Sequence, residues 1–194
     1  MVGNRRPVSA PQQDAGLQLR RPLVSNVPWF LPGVALSLVG ALVIAPTAGR
    51  VLGVSRIIAG LLVLSVGVIL AATITPIGPQ PEMPTSGAPS CDLTNMAVVS
   101  VAELLTVNDR SLNVALFAPL GATIGLLPGS RRRWTILAAA VCLPFGIEAL
   151  QLLAPVLARG CESVDVIDNL TGLALGLGVG SAVRVAAVDG PSPR

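Results

Sequence analysis

Apolar and polar positions along this chain fall into long blocks. Residues 1–26 mix Arg5, Arg6, Arg20 and Arg21 with Pro, Gln and Asn, and read as a disordered tail. Five apolar stretches follow: Trp29–Ala48, Ile57–Thr75, Leu112–Leu127, Trp134–Val156 and Ile167–Val188. A helix crosses a bilayer in about 20 residues at roughly 1.5 Å per residue. The pattern therefore predicts an all-α, polytopic membrane bundle of about five transmembrane helices. The third stretch is the shortest and carries Pro119, which kinks it or starts it deeper in the interface. The organisation expected is a tail at 1–26, two helices at 27–75, an outer loop with three helices at 76–188, and a C-terminal tail at 189–194.

Composition narrows the class. Of 194 residues, 52% are hydrophobic and 12% charged, and mean hydropathy is +0.75. Globular chains average about 25% charged residues, so this chain cannot cover itself with polar surface, and its first partner is the lipid bilayer. Histidine is absent and cysteine numbers 3, which excludes Ser-His-Asp and Cys-His chemistry and leaves no metal site to assign. No cofactor is expected, although outer carboxylates leave a divalent cation open. Tyrosine is absent and aromatics are 3%, so a nucleic-acid partner is excluded as well.

Two loops carry information. Pro76–Arg110 opens with five prolines, at 76, 79, 81, 84 and 89, and is extended there. Further on, Met96, Val99, Ala102 and Leu105 recur at helical spacing, and Ser100 with Glu103 has the spacing of a capping box. This predicts a short extracytoplasmic amphipathic helix, with plain loop as the alternative. With five spans, Arg50, Arg56, Arg131, Arg132, Arg133, Arg184 and Arg194 share one side, against Arg20, Arg21, Arg110 and Arg159 near the membrane on the other. The positive-inside rule makes that side cytoplasmic, with the N-terminus outside and the C-terminus inside. A competing reading takes Arg20–Arg21 and the run ending Ala45-Pro46-Thr47-Ala48 as a cleaved twin-arginine signal. That reading would put Arg131–Arg133 outside, against the rule.

Polar residues inside the apolar stretches are the candidate chemistry. Glu148 lies in the fourth stretch with Gln151 three residues on, on one helix face. A carboxyl at mid-span costs about 2.5–3.5 kcal/mol to insert. Asp165, Asn169 and Gly172 form one stripe at the start of the fifth, where Asp165 also suits an N-cap with Asp168 completing a box. Arg159 and Glu162 are spaced for a surface ion pair. Asn113 opens the third stretch. Together Asn113, Glu148, Gln151, Arg159, Glu162, Asp165 and Asn169 are expected near the outer face as a ligand-binding set. Gly121 and Gly125, and Gly172, Gly176 and Gly180, predict that the third and fifth helices pack closely. Cys142, among Val141, Leu143 and Pro144, reads as a small buried hydrophobe. Cys91 and Cys161 fall in two loops on the same outward side, where a disulfide between them is expected; unrelated thiols are the alternative.

Three motifs in order carry a resemblance. Asn113-Val114-Ala115-Leu116-Phe117-Ala118-Pro119-Leu120-Gly121 comes first, then Ile147-Glu148-Ala149-Leu150-Gln151. The third is Arg159-x-x-Glu162-x-x-Asp165-x-x-x-Asn169-x-x-Gly172-x-x-x-Gly176. Over roughly 76–188 the chain resembles the VanZ-like family of bacterial membrane proteins, departing from it at Glu162, where the family usually has Asp. The first apolar stretch looks like an addition found in some longer members. The family is named after an accessory protein of low-level teicoplanin resistance in glycopeptide-resistant bacteria.

The function expected is an outward-facing polar site for an envelope component: a lipid-linked cell-wall precursor, a polyprenyl phosphate or a glycopeptide. Arg159 is the natural anion partner. The alternative is a structural or accessory bundle whose polar residues are packing glue. An enzyme with Glu148 or Asp165 as general base ranks last, since no nucleophile stands beside either in sequence.

Overall fold

The computed structural model describes residues 29–76, 90–94, 96–157 and 159–189. The N-terminal tail, Arg20–Arg21, the prolines at 79, 81, 84 and 89, and the last five residues lie outside the described residues. The elements are α1 (Phe30–Leu52), α2 (Arg56–Thr73), β1 (Cys91–Asp92), α3 (Val101–Leu104), α4 (Asp109–Leu126), α5 (Arg131–Leu153), β2 (Cys161–Glu162) and α6 (Ser163–Asp189).

Local chemistry sets the boundaries. α1 stops at Gly53, whose left-handed φ of 70° lets its N–H turn back to the Gly49 carbonyl. Ser55, Asn108 and Ser130 each accept a backbone N–H of the following first turn, at 3.3, 2.9 and 3.3 Å, and so cap α2, α4 and α5. At α4 the exchange is reciprocal, because Ser111 Oγ accepts from the Asn108 N–H.

α1, α2, α5 and α6 are long and apolar enough to cross a membrane. The third predicted span is α4, as long as α2 at 18 residues but less apolar, since it opens with Asp109, Arg110 and Asn113. Four helices among the described residues are thus apolar enough to cross a membrane, where the pattern predicts about five, and α4 is not one of them; α6 packs along one side of α4 and α2 along another, while α1 pairs with α2 at the periphery. Phe117, Leu120 and Ile124 of α4 join Leu62 and Ile69 of α2, Ala140 and Ile147 of α5, and Leu173 of α6 in the core. Leu36, Leu42 and Val43 of α1 and Val179 of α6 point outward, as helices in lipid do, where burying apolar side chains brings no gain.

The closest packing is between α4 and α6, which run parallel. A Cβ on Gly172, Gly176 or Gly180 would fall on the backbone carbonyls of Val114, Ala118 and Ala122, and one on Gly121 or Gly125 on the backbone of α6. The two helices touch main chain to main chain, as the glycine spacing predicts.

Three expectations need correction. The amphipathic helix shrinks to the four residues of α3, although its Ser100–Glu103 capping box forms. It stops because the Glu103 carbonyl accepts from Asn108 Nδ2 and Thr106 Oγ1, leaving no acceptor for a further turn. Met96 and Leu105 are exposed, and only Val99 of that stripe is buried. Helix α6 begins at Ser163, so Asp165 sits inside its first turn and is not its N-cap. Cys142 is exposed on the outer surface of α5, because it lies on a different face of the helix from Pro144, which is buried, and Leu143, which packs against the core.

Cys91 and Cys161 are joined, their Cα atoms 4.6 Å apart, and face each other as paired residues of the parallel β1–β2 ladder. Closing 70 residues contributes up to about 4 kcal/mol by the chain-entropy estimate. Alkylation of denatured protein is therefore expected to add one group per chain before reduction and three after it. Three before reduction would contradict the bridge.

Candidate functional site

The N-terminal ends of α4 and α6 and the C-terminal ends of α2 and α5 meet at one end of the bundle. This end holds the polar residues singled out in the sequence. Asn113 Nδ2 on α4 donates to Asp165 Oδ1 on α6 at 2.7 Å. Glu148, 6% exposed, accepts the backbone N–H of Glu162 at 2.8 Å. The Glu148 carboxyl thus clasps the strand that carries Cys161, while the Glu162 side chain takes no part in that bond.

Gln151 and Arg159 turn toward α2. The last carbonyls of a helix lack intrahelical partners and attract cations and donors. Gln151 Nε2 donates to the Thr73 carbonyl at 3.2 Å. Arg159 donates through Nη2 to Ala72 O at 2.7 Å and through Nε to Thr75 O at 3.4 Å. Burial lowers the pKa of the Arg159 guanidinium from its usual value, against the opposing charge of Asp165. The Arg159–Glu162 ion pair does not form, because the α2 carbonyls hold the guanidinium.

The strongest contact at this end joins two residues outside the predicted set. Arg110 of α4 grips Asp168 of α6 with two bonds, Nε to Oδ2 at 2.9 Å and Nη2 to Oδ1 at 2.8 Å. Asp168 is fully buried. Arg110 also reaches Glu103 at 3.2 Å and the Ala97 carbonyl at 2.6 Å, tying the loop before α4 to the bundle. The N–H and O–H of Ser100, more than Arg110, lower the pKa of Glu103. Arg110 and Asp168 are 58 residues apart, the same offset that pairs Val114, Ala118 and Ala122 with Gly172, Gly176 and Gly180. The ion pair is the first rung of the glycine ladder. The signal was available, since Asp168 stands four residues before Gly172 in the stripe of small residues.

Two buried acceptors are left over. Gln151 Oε1 and Asn169 Oδ1 have no hydrogen-bond partner among the described residues, and Asn169 is 2% exposed. Among the described residues, no three His, Cys, Asp or Glu side chains come close enough together to hold a metal ion.

The VanZ/LLP1 family matches residues 58–184, which run from the first turn of α2 to the last turns of α6 and take in every residue named at this polar end. The chain belongs to the VanZ/LLP1 family. Helix α1 lies outside the family match. The VanZ-like motifs read from the sequence map onto this end: Asn113 lies near the start of α4 and Glu148 and Gln151 near the end of α5, Arg159 and Glu162 lead into α6, and Asp165 and Asn169 lie in its first turns. No curated protein and no solved structure gives a match.

Proposed function

We propose that this VanZ-like protein sits in the cell membrane with its acid-rich end outward, where it binds a cell-envelope component through hydrogen-bond donors on that component. The observation that carries this reading is the pair of buried, unpartnered acceptors, Gln151 Oε1 and Asn169 Oδ1. A buried polar atom left unpaired costs about 1–3 kcal/mol, and a ligand N–H or O–H relieves that cost. Lipid-linked cell-wall precursors and glycopeptides both present hydroxyl and amide groups at the outer leaflet, and the teicoplanin link of the family namesake favours this class. Arg159 is occupied by α2, so the donors belong to the ligand and the acceptors to the protein.

Two observations support the orientation. Arg50, Arg56, Arg131, Arg132, Arg133 and Arg184 gather at the opposite end, which the positive-inside rule makes cytoplasmic. The Cys91–Cys161 bridge lies at the polar end, and disulfides persist in oxidising compartments.

Growth in the presence of a teicoplanin-type glycopeptide tests the site. Glu148→Gln keeps a carbonyl to accept the Glu162 N–H but loses the carboxylate, and is expected to lose protection at normal membrane abundance. Glu162→Ala keeps its backbone donor and is expected to protect like wild type. Equal tolerance of both changes removes Glu148 from the site, and no effect of deleting the gene removes the glycopeptide reading.

A further inference from the structure

The arginine-rich end carries its own site. A cleft of about 550 Å³ opens there between the α1–α2 turn at Gly53, the end of α4 at Leu126 and Pro128, and the last turns of α6 at Arg184, Val185 and Val188. The Nε of Arg184 is buried and has no hydrogen-bond partner among the described residues. A second cleft of about 610 Å³ shares Gly53 and is lined by Arg50 and Arg56. Both ion pairs found among the described residues belong to Arg110, at the other end of the bundle. The six arginines here therefore have no carboxylate partner among the described residues. Three make hydrogen bonds within the protein: Arg50 Nε donates to the Pro46 carbonyl at 3.2 Å, Arg132 donates to the Val51 carbonyl, and Arg133 donates to Ser181 Oγ at 3.0 Å.

We propose that the Arg184 cleft binds the phosphate headgroup of an anionic phospholipid. A buried guanidinium donor without an acceptor asks for an anion, and a phosphate oxygen is the acceptor that best matches its geometry. The remaining walls are Leu126, Pro128, Val185 and Val188, which suit a glycerol backbone and the first acyl methylenes better than a free ion. Val185 and Val188 are exposed on the outer surface of α6, so a headgroup held at Arg184 lies beside a lipid-facing surface. Arg50 and Arg56 add positive potential across Gly53, which concentrates anionic lipid at this end. The bound lipid would bridge the α1–α2 turn to the C-terminal ends of α4 and α6.

Thermal unfolding of the full-length protein in neutral detergent, read by tryptophan fluorescence, tests the site. Phosphatidylglycerol is expected to raise the midpoint saturably, whereas phosphatidylcholine and inorganic phosphate are not. Arg184→Gln is expected to weaken phosphatidylglycerol binding about 10-fold or more. Val188→Asp, at a position 78% exposed and so free of any packing role, is expected to weaken it by charge repulsion, and decides the matter if Arg184→Gln fails to fold. Arg131→Gln, which lines neither cleft, is expected to bind like wild type. Unchanged affinity in both cleft variants, or an equal loss in Arg131→Gln, overturns the proposal. An equal shift with inorganic phosphate makes the ligand a free anion and overturns it too.

Discussion

Replacing Gly176 by leucine is expected to abolish the folded protein, whereas leucine at Gly178 should leave it intact. The two glycines are two residues apart on α6 and face opposite ways. A Cβ at Gly176 would land on the Ala118 carbonyl and within 2.8 Å of the Ala122 nitrogen, both main-chain atoms of α4. A backbone cannot rotate out of the way as a side chain can, so the helices must separate. Separation at one rung also opens the contacts of Gly172 and Gly180 on either side. Overpacking a core usually costs about 1–3 kcal/mol, occasionally more, and this substitution belongs at or above the top of that range. Nothing lies within 4 Å of a Cβ at Gly178, so the same side chain there meets lipid. Membrane abundance and the detergent melting midpoint read the difference. A wild-type midpoint for Gly176→Leu would show that α4 and α6 are not in main-chain contact.

The second large effect is expected at Arg110. Alanine there leaves the Asp168 carboxylate buried with its bidentate partner gone, and also removes the guanidinium that bonds Glu103 and the Ala97 carbonyl. Breaking a buried pair from one side typically costs about 3–5 kcal/mol, while replacing both partners by apolar residues of similar size is often neutral. Arg110→Ala is therefore expected to be far less stable than Arg110→Met combined with Asp168→Leu. If the single and double variants melt alike, Asp168 is not a buried charge that depends on Arg110.

The same two helices show what the sequence reveals and what it hides. Span lengths, the glycine stripes and the bridge between Cys91 and Cys161 are legible because each follows from periodicity or from elimination among few residues. Asn113 and Asp165 both read as polar groups near one depth, and they do meet. Arg110 and Asp168 do not stand out in the sequence because each has an ordinary local explanation, a flanking charge for the first and a helix start for the second. Only the register between α4 and α6 pairs them, and register is a tertiary property. Arg159 illustrates the converse. Its guanidinium looks free in sequence, but the orphan carbonyls at the end of α2 take it up once the chain folds back 84 to 87 residues. The amphipathic stripe from Met96 to Leu105 has helical spacing, yet side-chain bonds to the Glu103 carbonyl end the helix after one turn.

A polar end that binds a ligand and one that is only packing glue differ most directly in how they respond to Asn169→Leu. Leucine fills a similar volume and removes an acceptor that has no partner among the described residues. If the acceptor waits for a ligand, the variant should melt at or above the wild-type midpoint while losing binding of a lipid-linked precursor or glycopeptide, measured on purified protein in lipid nanodiscs. A variant that melts well below wild type, or one that binds both ligands as wild type does, would contradict the site.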